Sequence, residues 1–227
     1  MSPKLVSPNP VSPQPISRRR FLKIGCLTGA AAGLTLCGAS ALAPDPPPVQ
    51  LSSYTYGAVA INNRVLVAYA TCTGSTVEVA AVIGEMLGAR GFSVDVKPVH
   101  EKPPVADYQA VLIGSAVQHG HWLPEAIDFV KANRATLQRV PVALFCVHIQ
   151  NMGNDAASRQ KRLAYLNEVR PLVQIVDEGF FAGRFNRRGA ALLLPGWLAR
   201  LVPNIDLRNW ESIRGWAANL GPRLQPA

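Results

Sequence analysis

Three short runs of almost wholly apolar residues constrain this chain more than anything else in it. They are Arg64 to Ala70, Ala110 to Gly114 and Pro141 to Val147. Apolar residues without alternation mark strands buried on both faces, the pattern of a parallel sheet. Ser93 to Val99 alternates and predicts a strand nearer an edge; Leu172 to Phe181 supplies a fifth. Between the strands lies helical periodicity. Thr76 to Arg90 places Val79, Ala80, Ile83 and Leu87 on one face, with Gly88 and Gly91 where a helix should stop. Pro124 opens a helix to Asn133, Asp155 caps one reaching about Val169, and Asn209 caps a last one through Leu220. Strands separated by helices predict an α/β fold, a doubly wound five-stranded parallel sheet in order 2-1-3-4-5. The connection His100 to Tyr108 is too short for a full helix.

In such a sheet ligands sit outside the carboxyl ends of the strands, at the switch between strands 1 and 3. The loops after Ala70, Gly114 and Cys146 are therefore the informative ones. The first is Thr71-Cys72-Thr73-Gly74-Ser75-Thr76. Its hydroxyls and the backbone N–H groups at a helix start make a phosphate cradle without a basic residue, and Gly74 lets the backbone curl close. It has neither the Gly-Lys-Ser/Thr ending of a Walker loop nor a G-x-G-x-x-G pattern. The second loop holds Ser115, Ala116, Val117, Gln118, His119, Gly120, His121 and Trp122, suited to wrapping a flat heterocycle. Trp122 either stacks on that ring or packs beneath the loop. His119 and His121 are either proton donors and charge partners or ordinary surface histidines. The third loop, His148-Ile149-Gln150-Asn151-Met152-Gly153, offers further polar contacts, with Val147, His148 and Asn151 as the candidates. No residue is singled out as catalytic, and no metal site is read.

Thr-x-Thr-Gly-x-Thr after a first strand resembles the flavodoxin phosphate loop for flavin mononucleotide (FMN). From Val65 to about Leu220 the chain also resembles one flavodoxin-like branch, menaquinone-dependent protoporphyrinogen dehydrogenase. The likeness rests on Tyr69 to Thr76, on Gly114 to Trp122 with its Gly-His-aromatic element, and on Asp128-Phe129-Val130. Ala182-Gly183 followed by a basic apolar excursion and Asn209-Trp210-Glu211 completes it. The resemblance implies FMN as cofactor, porphyrinogen as a candidate reductant and a quinone as acceptor. Cys72 and His119 stand where that family more often has a polar or charged residue and a tyrosine.

The net charge of +9 suggests a polyanion partner until its placement is considered. Residues 1–43 hold Lys4, Arg18, Arg19, Arg20 and Lys23 and no acid; residues 44–178 are nearly balanced; seven arginines follow residue 179 against Asp206 and Glu211. That distribution does not suit a nucleic-acid module. Instead Ser17-Arg18-Arg19-Arg20-Phe21-Leu22-Lys23, ahead of the uncharged stretch Ile24 to Pro44, resembles a twin-arginine (Tat) signal. The expectation is a signal peptide or anchor over 1–43, a Pro-rich linker over 44–63 and a flavodoxin-like domain over 64–223. The Tat machinery is then a partner, and the location is periplasmic or membrane-associated on the outer face of the inner membrane. The excursion at about 184–208 is read in two ways: an amphipathic contact with a membrane surface through 187–202, or a loop packed over the sheet.

Cys72 and Cys146 remain beyond the signal, the first just after strand 1 and the second ending strand 4, with strand 3 between them. Two strand spacings are about 9–10 Å, beyond the roughly 7 Å that a disulfide spans between Cα atoms. Two free thiols are expected. The leading functional reading is an exported FMN-dependent oxidoreductase between a reduced organic substrate and a quinone or redox partner. The alternatives are a flavodoxin-type electron carrier and a domain that has lost FMN.

Overall fold

The computed structural model of the chain describes residues 49–58, 63–186, 190 and 201–225. The chain divides into two units, 1–43 and 44–227, and the first, with the whole predicted export signal, lies outside the described residues.

In chain order the elements are β1 (Tyr54–Tyr56), β2 (Arg64–Ala70), α1 (Ser75–Gly88), β3 (Ser93–Pro98) and β4 (Ala110–Gln118). Next come β5 (His121–Trp122), α2 (Pro124–Ala132), the short α3 (Arg134–Leu137), β6 (Val142–His148) and α4 (Ala156–Ala164). Then follow β7 (Ile175–Ala182), β8 (Arg184–Phe185), β9 (Ile205–Asp206) and α5 (Trp210–Leu220). The sheet runs β1-β3-β2-β4-β6-β7, with β5 attached to β4. The five strands expected from sequence are mutually parallel and stand in the expected order.

Two differences enlarge the sheet to seven strands. The stretch read as linker supplies β1, which pairs antiparallel with β3 through Tyr54↔Val96 and Tyr56↔Val94. So β3 is not an edge. Tyr-Thr-Tyr is strongly strand-prone, and it covers a ladder that β3 would otherwise leave open. The second difference is β5, described with the site below.

Alternation along the central strands builds two cores. Leu66, Ala68 and Ala70 of β2 face one side with Ile113, Leu144 and the helix α2 residues Ala126, Phe129 and Val130. Val65, Val67 and Tyr69 face the other, against Val79, Ile83 and Leu87 of α1 and Ile213, Ala217 and Leu220 of α5. Each fully buried aliphatic side chain contributes about 1.5–3 kcal/mol, so a one-residue slip of β2 would exchange both sets at large cost.

Helix α4 stops at Ala164, short of Val169, because Tyr165, Leu166 and Val169 must turn into the first core while α4 itself buries no side chain. Asp155 caps it as expected, accepting from Ser158 N–H at 2.8 Å. Asn209 does the same for α5 through Ser212 N–H. His100 to Tyr108 forms two 3-10 turns, Val99–Glu101 and Val105–Asp107. Cys72 and Cys146 are free thiols, as expected.

Candidate functional site

The carboxyl ends of β2, β4 and β6 open into a cavity whose first wall is the Thr71–Thr76 loop. Gly74 takes the left-handed conformation, φ 92°, that lets the chain turn from loop into α1. Its N–H donates to Thr71 Oγ1 at 3.0 Å. The start of α1 has no side-chain cap, so its first N–H groups are left for another acceptor. Thr76 Oγ1 is buried and has no hydrogen-bond partner among the described residues. An unmet buried hydroxyl costs about 1–3 kcal/mol, and a phosphate oxygen would accept from it. This uncapped helix start with its unpartnered hydroxyl fits the FMN phosphate. Cys72, Thr73 and Ser75 line the cavity, while Thr71, Gly74 and Thr76 shape the loop behind them.

The second wall differs from a simple loop. Strand β4 continues through Gln118, and His119 and Gly120, with φ 52° and 85°, turn it back into β5. Val117 pairs with Trp122 and Gln118 with His121. Ala116, Val117, Gln118 and His119 line the cavity. Gly120, His121, Trp122 and Ser115 are not among its lining residues. The hairpin sends Trp122 into the first core, only 3% exposed, where Nε1 donates to Cys146 Sγ at 3.1 Å. Of the two roles open to Trp122, packing beneath the loop is the one the structure adopts. His121 lies outward, 2.9 Å from Glu168, with both side chains well exposed. Ser115 Oγ is spent on the backbone, donating to the Ala116 carbonyl and accepting from Leu123 N–H.

Val147 and His148 line the third wall together with Ile149 and Gln150. Asn151 does not: φ is 55°, and its side-chain amide donates to Tyr165 Oη at 2.6 Å. His148 is 4% exposed. Its Nδ1 lies 2.7 Å from the Gln150 carbonyl, which only accepts, so Nδ1 carries the proton and Nε2 keeps its lone pair. Burial pushes the imidazole pKa down to about 4, against a smaller rise from that hydrogen bond, so the ring is neutral at physiological pH.

Three lining residues went unread in the sequence: Gly183, Arg184 and Phe185. They follow β7, where Gly183 N–H donates to the His148 carbonyl at 2.8 Å and folds the chain over the cavity. The sequence offered only a basic, aromatic pair after Ala182-Gly183. Arg184 Nη2 contacts Glu78 Oε1 at 2.9 Å. Glu78 Oε2 holds Arg208, whose side chain is 4% exposed and stacks on Trp210. No aspartate or glutamate lines the cavity among the described residues; Arg184 is its one permanently charged side chain. No described group of His, Cys, Asp and Glu is placed to hold a metal.

A flavodoxin-domain family model matches residues 66–191. The chain is 31% identical over 88 residues to protoporphyrinogen IX dehydrogenase (quinone) of Escherichia coli K12, a stretch that is 38% of this chain and 49% of that protein. The chain thus spans about half the length of that curated relative. The Leishmania major protein of the same name is 29% identical over 173 residues, covering 69% of this chain and 74% of that one. Oxidised flavodoxin 1 of Bacillus cereus superposes with a TM-score of 0.47 at 15% identity, over 71% of this chain and 99% of that chain.

Proposed function

The chain belongs to the flavodoxin-domain family, whose cofactor is FMN, and from that premise we propose that it is an exported oxidoreductase. It passes electrons from a reduced organic substrate of the porphyrinogen class to a quinone or redox partner. The observation that carries this reading is the charge of the cavity wall: Arg184, with no lining carboxylate among the described residues. Bound there, FMN supplies the two-electron chemistry, and the protein supplies grip and field. Arg184 lines the cavity while its partner Glu78 does not, and a cation at the wall favours the anionic reduced form of the flavin and so raises its potential, which suits an acceptor of substrate electrons better than a low-potential carrier. The names of the relatives in Escherichia coli and Leishmania major support the substrate class.

The remaining roles follow from the residues in place. Thr73, Ser75, Thr76 and the N–H groups of α1 hold the phosphate. Ala116 to His119 and Val147 to Gln150, which line the cavity, would border the ring. His148, neutral and with an unprotonated Nε2, would accept a hydrogen bond there and leaves the field to Arg184. Export rests on the Ser17 to Lys23 pattern, which with its neighbours to residue 43 lies outside the described residues. The periplasmic or outer-face location follows from that pattern alone. Of the membrane-surface stretch 187–202, all but residues 190, 201 and 202 lie outside them too, and no described helix is long and apolar enough to cross a membrane.

Anaerobic assay of the FMN-loaded protein with protoporphyrinogen IX and a soluble menaquinone analogue tests the proposal. Stoichiometric porphyrin formation coupled to quinone reduction is expected. Reduction and reoxidation by a redox protein without porphyrinogen turnover would instead make it an electron carrier.

A further inference from the structure

Residues 49–57 lie ahead of the part matched by the family model, which begins at residue 66. Yet they touch the domain along its whole height. At the top, Val49 Cγ1 stands 3.6 Å from where a side chain on Gly74 would begin, so Val49 covers the turn of the phosphate loop. One step on, the hydroxyl of buried Tyr69 donates to the Ser52 carbonyl at 2.8 Å and accepts from Ser52 N–H at 2.9 Å. Tyr69 is the penultimate residue of β2, two before Thr71. Below it, Ser53 Oγ donates to Glu101, Thr55 Oγ1 donates to Asp95 at 2.9 Å, and β1 pairs with β3. At the base Tyr56 lies in a groove that two glycines of α1 leave open. A Cβ on Gly84 would come within 2.9 Å of its ring and one on Gly88 within 2.8 Å of its Cβ.

We propose that Val49–Gly57 is a strap that positions the phosphate loop, so that docking of the strap and binding of FMN favour one another. The inference rests on the reading that Thr71–Thr76 holds the FMN phosphate. The strap is anchored away from the ligand, by β pairing and by Tyr56 in its glycine groove, and reaches the loop at two points, Val49 on Gly74 and Ser52 on Tyr69. Both contacts bear on the backbone turn that sets the direction of the N–H groups at the start of α1. A loop held in its binding shape loses less conformational freedom when it takes the phosphate. Reciprocity then requires that the phosphate hold the strap in place by the same factor. The strap also joins the domain to the export signal read at 1–43, so cofactor loading and order in the segment beside that signal rise together.

The test uses the full chain, with FMN and riboflavin as probes. Tyr69→Phe keeps the ring in the core and removes the hydroxyl; Val49→Ser removes the apolar cover of Gly74 without touching β1. Each variant is expected to weaken FMN at least about fivefold, a typical coupling factor, while riboflavin, which has no phosphate, binds as before. In the unaltered protein FMN should slow amide hydrogen exchange at Ser52 and Tyr56 by a similar factor. Equal weakening of FMN and riboflavin, or strap amides indifferent to FMN, overturns the proposal alone. Equal affinity of the unaltered protein for FMN and riboflavin overturns the phosphate-loop reading and the strap with it.

Discussion

Arg184 Nη2 lies 2.9 Å from Glu78 Oε1, which ties the cation on the cavity wall to the first turn of α1, the helix proposed to hold the phosphate. The carboxylate is shared with Arg208, which also pairs with Asp206 at 2.7 Å, so two arginines and two acids balance one another and of the four only Arg184 lines the cavity. Arg184→Gln removes the cation while keeping a polar side chain. The flavin potential is expected to fall by about 30 mV or more, a tenfold shift of the two-electron equilibrium. Equilibration with a redox dye measures it; an unchanged or raised potential would remove Arg184 from the account.

Trp122 donates to Cys146 within the first core and is not among the cavity's lining residues. Trp122→Phe should therefore cost stability, about 0.5–1.5 kcal/mol for the lost hydrogen bond plus a packing loss, and leave the visible spectrum and affinity of FMN unaltered. Urea unfolding and FMN titration read the two effects separately. A tenfold loss of FMN affinity in a folded variant would restore the indole to the site.

His148 gives the fold a pH dependence whose sign is fixed by burial. Its folded pKa is depressed from 6.5 to about 4. The unfolded chain therefore binds more protons between those values, and stability falls as pH drops from about 6.5 to 4. The loss amounts to about 3 kcal/mol over the window, since each pKa unit is about 1.4 kcal/mol. His148→Gln should flatten that slope in apoprotein unfolding measured at several pH values. An equally steep slope in the variant would place its origin elsewhere.

The two thiols should differ in reactivity. Cys72 lines the cavity and burial raises its pKa, countered in part by backbone and Thr73 hydrogen bonds. Cys146 is wholly buried, and burial pushes it up to about 12. Iodoacetamide followed by mass spectrometry should label Cys72 slowly, more slowly with FMN present, and label Cys146 only on unfolding. Labelling of Cys72 at the same rate with and without FMN would separate it from the cofactor.

Much of the architecture was legible because two-sided burial writes itself as unbroken apolar runs. Val65–Ala70, Ala110–Ile113 and Val142–Val147 became β2, β4 and β6 for that reason. The Thr71–Thr76 loop was legible because a helix start after a strand needs few residue types to cradle an anion. Trp122 was not legible. Its side depends on the hairpin at His119-Gly120, and that dipeptide lacks the usual Asn-Gly or Asp-Gly signature of such turns. β1 was masked by the prolines before it, although Tyr54 to Tyr56 are good strand residues. Arg184 could not be placed because its role depends on which way the chain turns after β7, a matter of tertiary contacts with His148 and Glu78.

The central claim is that this domain grips FMN by its phosphate at the uncapped start of α1. Comparing the dissociation constants of FMN and riboflavin, in the unaltered protein and in Thr76→Val, tests it most directly. Several hydrogen bonds to a charged group, each about 1.5–3 kcal/mol, predict that FMN binds at least about a hundredfold tighter than riboflavin. Thr76→Val should narrow that gap by about tenfold or more. Equal affinities for the two ligands, or a gap untouched by the substitution, would contradict the account.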